Sequence, residues 1–269
     1  MAEVVTKSGQ RLHVEDEGRG PPVLLIHGWA MASAALGPLA DRLAAGRRIL
    51  RYDLRGHGAS APAPSATLDD HAADLAGLLD SLALEGAMVV AWSLGAQVLL
   101  RALPAIRGRL GGGVLIGATP RFTSADGWIH GLPARQVELL AQRFRRDPAR
   151  TRTRFLRDLL APAEREALGL ARLAALDAAM PLPDPAAAAA GLDVLATADL
   201  RPSLADVDLP ILLVHGEADP ICLPGGSLAM AGAIPGARRL LLPGAGHAPF
   251  LTREAEVARA ILEFAEGHP

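Results

Sequence analysis

The chain has 269 residues, of which 27 are basic and 29 acidic, giving a formal net charge of −2, and half of them are hydrophobic. That much apolar surface excludes intrinsic disorder and suits one α/β domain carrying an insertion. The near-neutral balance excludes a generally basic nucleic-acid-binding surface, and Gly, Ser, Pro or Gln interrupts every uncharged stretch before it makes a convincing membrane span.

In chain order, short apolar runs alternate with longer helical patterns, the signature of a mostly parallel sheet flanked by helices. Residues 11–15 read as an antiparallel edge strand. Strands are predicted at residues 23–26, 49–52, 88–91, 114–116, 211–214 and 239–242, each followed by turn residues and then a helical stretch. Thr67-Leu68-Asp69-Asp70 has capping-box spacing and opens a helix whose apolar face runs through Leu75, Leu78, Leu79 and Leu82. From about residue 119 to 200 no strand-like run occurs. Helical patterns there are punctuated by Pro133, Pro148, Pro162, Pro181, Pro183 and Pro185. Strand patterning resumes near Pro210, so residues 1–118 and 201–269 are expected to form one core, with residues 119–200 inserted as a helical lid. The last helix is predicted at residues 254–266.

The segment Ala91-Trp92-Ser93-Leu94-Gly95 lies between a buried strand and a helix beginning near Leu94. A serine on such a tight turn projects its hydroxyl above the sheet, and its neighbours must be small because the backbones crowd there. The usual pattern is G-x-S-x-G, and Ala91 stands where the first glycine would be. A serine hydroxyl needs a histidine to take its proton, and the histidine needs an acid to fix its tautomer. Val214-His215-Gly216-Glu217-Ala218-Asp219-Pro220 ends a strand with Asp219 in the following loop, and Leu242-Pro243-Gly244-Ala245-Gly246-His247 ends another. The chain order Ser93, Asp219, His247 is one specific order among the known serine triads. Glu217 is the rival acid; Asp219 is preferred because it lies further past the strand end. Asp193, Asp199, Asp206 and Asp208 read as caps or solvated turn residues.

The backbone N–H groups of Trp29, in His27-Gly28-Trp29-Ala30 after the first central strand, and of Leu94 are the expected oxyanion donors. His27, His57 and His215 read as structural residues bonding backbone in loops, and His13, His71, His130 and His268 as surface residues. No His, Cys or Asp grouping has metal-site spacing, so neither metal nor cofactor is expected. Cys222 is the only cysteine, which forbids an intrachain disulfide and suits a reducing cytoplasm. Residues 1–7 lack the basic-then-apolar pattern of a signal peptide. A cytoplasmic monomer with no membrane or nucleic-acid partner is the expectation.

Lys7 is the only lysine, so a single arginine carries no information here, but a cluster does. Residues 143–157 hold Arg143, Arg145, Arg146, Arg150, Arg152, Arg154 and Arg157 against the single acid Asp147. Asp147-Pro148 reads as an N-cap and first-turn proline, which puts Arg150, Arg154 and Arg157 on one helical face. Two readings stand for that face: a docking surface for an acidic partner, or a solvated helix in an arginine-rich chain.

These motifs make the chain resemble the α/β-hydrolase superfamily along its whole length, with Ser93, Asp219 and His247 at the triad positions. Asp53-Leu54-Arg55-Gly56-His57-Gly58-Ala59-Ser60 is a further loop signature of those hydrolases, shaping the floor of the site. Within the superfamily the chain is similar to the pimeloyl-[acyl-carrier protein] methyl ester esterases of biotin synthesis. The similar stretches are His27-Gly28-Trp29-Ala30-Met31, Trp92-Ser93-Leu94-Gly95, Ala118-Thr119-Pro120-Arg121-Phe122 and Asp126-Gly127-Trp128. Leu192-Asp193-Val194-Leu195, Asp199-Leu200-Arg201 and His247-Ala248-Pro249-Phe250 extend the likeness beyond the catalytic loops. Ala91 and the 53–60 loop depart from that family's version.

The resemblance implies a serine carboxylesterase that removes a methyl group from a carrier-bound dicarboxylate, with the acyl-carrier protein as partner. It further implies that Phe155, Leu156 and Leu159 line the substrate channel beside Trp29, Ser93, Leu94 and His247, although packing of a helix's apolar face explains those three equally. Arg150 and Arg154 match basic lid residues that meet the carrier, with Arg157 beside them. The alternatives are a broad-specificity carboxylesterase or lactonase of the same fold, and a hydrolase-fold ligand sensor.

Overall fold

Short runs of Val, Leu and Ile bury both faces of a strand and suit the middle of a parallel sheet. In the computed structural model, which describes residues 2–267, these runs form an eight-stranded sheet. Its strands are β1 (Ala2–Val5), β2 (Arg11–Gly18), β3 (Pro22–Ile26), β4 (Arg48–Tyr52), β5 (Ala87–Trp92), β6 (Leu110–Ile116), β7 (Ile211–Gly216) and β8 (Arg238–Leu242). They lie in the order β1-β2-β4-β3-β5-β6-β7-β8. The β1–β2 and β2–β4 pairs are antiparallel, and every pairing from β4 through β3 to β8 is parallel.

After β3 the chain moves outward to β4 and then returns past β3 to β5. The order therefore reverses between β3 and β5, the position at whose carboxyl ends open α/β sheets place their ligand sites. Alternate residues of each strand feed two cores. Leu24, Ile26, Val89, Leu115 and Leu213 pack with helices α2 (Leu68–Ser81) and α3 (Leu94–Ile106). Val23, Leu25, Val90, Val114 and Val214 pack on the other face with α1 (Gly37–Leu43) and α10 (Glu254–Glu266). The start of α2 is held as its sequence dictates: Thr67 Oγ1 accepts the Asp70 N–H at 3.2 Å while the Asp70 carboxylate accepts the Thr67 N–H at 3.0 Å.

Between β6 and β7 lie five helices: α4 (Ala134–Arg146), α5 (Pro148–Asp158), α6 (Pro162–Leu168), α7 (Leu170–Ala178) and α8 (Pro185–Thr197). The prolines of this insertion begin helices as much as they end them. Pro148, Pro162 and Pro185 each occupy the first turn, where the missing N–H costs nothing. Asp147 and Asp184 cap two of these helices. The remaining helix, α9 (Pro224–Ala233), follows β7.

Two expectations are corrected. The strand from Arg11 continues to Gly18 and is not an edge, because β1 pairs outside it; four residues are too few for a periodic signal. His71 is fully buried on the inner face of α2, one turn before Leu75, rather than on the surface. His268 lies outside the described residues.

His71 belongs to a set of buried imidazoles held neutral by desolvation. Burial lowers the pKa of His71 to about 3, that of His57 to about 4, and that of His27 below its ordinary value. In the unfolded chain all three titrate near 6.5. Below that pH the unfolded chain takes up protons that the folded chain refuses, so their stabilisation is present above pH 6.5 and is lost as pH falls toward 4. Thermal melting from pH 7.5 to 5 is expected to show stability falling by up to about 1.4 kcal/mol per pH unit for each histidine once below 6.5. His71→Leu should flatten that slope by about a third; an unchanged slope would contradict the assignment.

Candidate active site

Ser93 sits where β5 turns into α3, with φ 56° and ψ −116°. A side chain at positive φ is uncommon and strained, and it is held here by packing on every side. The Ser93 N–H donates to Ile116 O at 3.0 Å. A Cβ on Gly95 would stand 2.7 Å from His27 O and 2.8 Å from Ile26 O, and one on Gly28 would stand 3.1 Å from Ser93 Cβ. These contacts explain the small residues in the motif. Ala91 fits because it is a regular residue of β5, paired with Ile26 and Leu115 and fully buried. Ser93 is only partly buried between the buried Trp92 and Leu94, so it is the residue the turn leaves accessible.

His247 is positioned from four sides. Its Nδ1 lies 2.8 Å from Asp219 Oδ2. Its N–H donates to Leu159 O at 2.6 Å, and its carbonyl accepts from Trp92 Nε1 at 3.1 Å. Gly117, at φ +54°, lies under the ring, where a Cβ would stand 2.9 Å from Nδ1. Ile116 and Gly117 are consecutive, so one turn after β6 holds the Ser93 backbone on one side and the His247 ring on the other. Nε2 of His247 is buried and has no hydrogen-bond partner among the described residues. A tautomer with its proton on Nδ1, toward Asp219, presents the Nε2 lone pair as an acceptor.

Asp219 Oδ1 accepts the N–H groups of Ile221 (2.8 Å) and Cys222 (2.9 Å). His215 Nε2 stands 3.2 Å from Oδ2 and 2.7 Å from Cys222 O. Burial pushes the Asp219 carboxyl upward, but attraction to His247 and hydrogen bonds from His215 and His247 outweigh it and hold the group at about 2. The rival Glu217 turns away, its Oε2 accepting the Gly244 N–H at 3.2 Å. Asp199 and Asp208 are ion-paired elsewhere.

Trp29 follows the carboxyl end of β3, and Leu94 is the first residue of α3, where an N–H has no acceptor within the helix. The Trp29 indole is drawn into the insertion: Nε1 donates to Ala188 O at 2.8 Å, and the ring meets Phe144 and Phe155 edge-on at 5.3 and 5.2 Å. A Cβ on Gly191 of α8 would stand 2.8 Å from Trp29 Cδ1, so only glycine allows this approach. Phe155 is half-buried, whereas Leu156 and Leu159 are fully inside the second core.

Arg150, Arg154 and Arg157 are exposed on α5, and Asp147 caps the helix by accepting the Arg150 N–H at 3.0 Å. A cavity of about 270 Å³ opens between α4 and α5, lined by Arg143, Arg146, Arg150 and Arg154 together with Asp147 and Asp158, and reaching Phe155. Arg152, from the same run, is buried instead. It bonds the carbonyls of Met180 (2.6 Å) and Pro181 (2.9 Å) and pairs with Asp177, bracing α5 against the end of α7.

The two ends of the insertion are tied together. Asp199 accepts from Arg121 (2.9 Å) and Arg201 (2.6 Å), the Leu200 N–H donates to Pro120 O at 2.9 Å, and Arg201 lies 5.7 Å over the Trp128 ring. All of these residues fall in stretches that carry the family resemblance, but nothing local in the sequence shows that they meet, and Asp199 reads there as a turn residue. His27 and His57 bond backbone, as expected for loop histidines, and the 53–60 loop is anchored by the buried Arg55–Asp74 pair at 2.7 Å. Among the described residues no group of three His, Cys, Asp or Glu side chains is placed to hold a metal ion, and no helix is long and apolar enough to cross a membrane.

Residues 21–254 match the alpha/beta hydrolase fold family. The pimeloyl-[acyl-carrier protein] methyl ester esterase of Nitrosomonas europaea is 35% identical over 241 residues, covering 90% of this chain and 94% of its own. Its namesake from Stenotrophomonas maltophilia is 34% identical over 258 residues, covering 94% and 96%. Among solved structures, an esterase from Exiguobacterium antarcticum superposes with a TM-score of 0.91 at 24% identity over 98% of both chains. With its sheet order, its strained serine turn and these likenesses spanning nearly the full length, the chain belongs to the α/β-hydrolase fold family.

Proposed function

We propose that this protein is a serine carboxylesterase that hydrolyses the methyl ester of pimeloyl-[acyl-carrier protein], releasing methanol and the free carrier-bound acid for biotin synthesis in the cytoplasm. The observation that carries the reaction class is the 2.8 Å Asp219–His247 contact, with Nε2 unpartnered among the described residues, in a protein that also holds Ser93 at a strained strand-to-helix turn. The substrate follows from the two relatives bearing that name at 34–35% identity across the whole fold.

His247 Nε2 takes the Ser93 hydroxyl proton as Oγ attacks the ester carbonyl. Negative charge gathers on the carbonyl oxygen, where the N–H groups of Leu94 and Trp29 receive it. The tetrahedral adduct expels methoxide, protonated by His247, and leaves an acyl group on Ser93. Water attacks that acyl group, His247 takes its proton, and the proton returns to Ser93 as the acid departs. Asp219 stays ionised throughout and stabilises the imidazolium.

Residues 119–200 act as a lid over the crevice, and the acyl chain lies between the lid and the sheet edge, against Trp29 and Phe155. Leu156 and Leu159 shape that wall from behind as core residues. The acidic carrier docks on Arg150, Arg154 and Arg157, and the cavity between α4 and α5 leads from that face to Phe155, 5.2 Å from the Trp29 ring.

Initial rates on the methyl ester of pimeloyl-carrier protein, compared with the same ester lacking its carrier, test this reading. A strong preference for the carrier-bound ester is expected, weakened by salt and by charge reversal at Arg150 and Arg154 and lost on Ser93→Ala by about 10³-fold or more. Equal turnover of the free ester would leave a broad carboxylesterase, and no turnover of either would remove the assigned substrate. Gly117→Ala, by pushing a methyl group into the His247 ring, should lower kcat by about 10²-fold with KM little changed. Wild-type kcat in that variant would contradict the close packing under the base.

A further inference from the structure

The insertion does more than cover the crevice. Glu164, in the first turn of α6, is 6% exposed, yet among the described residues its carboxylate pairs with no cation. Its partners are three hydrogen-bond donors. Oε2 accepts the Ala161 N–H at 3.0 Å and the Gly246 N–H at 2.7 Å, and Oε1 accepts the Thr252 hydroxyl. A buried carboxylate is tolerated only when such donors replace its water. Two of the three belong to the loop that carries His247, one immediately before it and one just after the short turn Pro249–Leu251.

The contact is close along its whole length. The His247 N–H donates to Leu159 O at 2.6 Å, and a Cβ on Gly246 would stand 2.5 Å from that same oxygen and 2.8 Å from Ala161 N. Asp219 fixes the imidazole from the core, while residues 159–164 fix the backbone beneath it from the insertion. We infer that Glu164 is a positioning residue for the catalytic base: it anchors the His247 loop to the insertion, so that residues 159–164 form part of the catalytic frame rather than a movable cover. This inference rests on the reading of His247 as the base.

The carboxylate's role here is geometric, and that separates the variants. In Glu164→Gln the amide oxygen can still accept from Ala161 and Gly246, and the amide NH₂ can donate to the Thr252 hydroxyl, whose own proton rotates away. Glu164→Asp keeps the charge but is one methylene too short to span all three donors. Glu164→Ala removes the anchor.

The test measures kcat and KM on p-nitrophenyl butyrate, a small ester that needs no carrier, together with the rate of fluorophosphonate labelling of Ser93, for each variant and for Ser93→Ala. Glu164→Gln should stay within about threefold of wild type. Glu164→Ala and Glu164→Asp should lose at least tenfold in kcat and in labelling rate, with KM within about twofold and one cooperative melt. If the alanine variant does not fold, the aspartate variant decides. Wild-type kcat in the aspartate or alanine variant, beside an inactive Ser93→Ala, would overturn the positioning role alone. Loss in all three variants only in proportion to the unfolded fraction would overturn it too. An active Ser93→Ala would instead overturn the triad on which it rests.

Discussion

A serine held at φ 56° is the constraint on which the rest of the structure depends. That backbone is unfavourable for any residue with a Cβ, and it survives only because neighbours leave it no alternative. The end of β3 passes close enough that Gly95 can bear no side chain, Gly28 lies tight against Ser93, and the Ser93 N–H is fixed to Ile116 on the next strand. The requirement spreads outward from there. The strand order reverses between β3 and β5 beside the turn, and Gly117 must be bare so that His247 can lie over it. Among the described residues the same left-handed backbone recurs outside glycine only at Ala30 (φ 56°), beside Trp29, and at Ala83 (φ 46°).

The second feature is the division of labour around His247. Its ring answers to the core through Asp219, and its backbone answers to the insertion through Leu159 and, one residue earlier, Glu164. Trp29 repeats the pattern on the opposite wall, with its backbone after β3 and its indole bonded to Ala188 of α8. The insertion is therefore tied to the site at several points, and the Arg121–Asp199–Arg201 knot closes its two ends together. Its exposed residues include the arginine face of α5, beside the cavity between α4 and α5.

Much of this was legible in the sequence because each element of the proposed triad follows a strand. The apolar runs before Ser93, Asp219 and His247 mark strand ends, and the turn residues after them mark loops at one edge of the sheet. The insertion was legible as the absence of strand patterning between residues 119 and 200. The hidden parts depend on tertiary contact. β1 is too short to show alternation. His71 reads as a polar residue on an amphipathic helix until its inner face is seen to be covered. Arg152 is lost within an arginine run, although its neighbours point outward and it points inward. Glu164 bonds backbone groups 82 residues away at Gly246, and no local pattern can announce such a partner. Glu217 and Asp219 were separable only by how far each lies past the strand, and the structure brings Asp219 to the imidazole.

The central claim is that Ser93 is a nucleophile activated by His247, and mass-spectrometric mapping of a fluorophosphonate adduct tests it most directly. The account predicts a single adduct on the peptide containing Ser93, abolished by His247→Ala and accompanied by complete loss of ester hydrolysis. An adduct on any other serine, or a fully active enzyme with Ser93 unmodified, would contradict it.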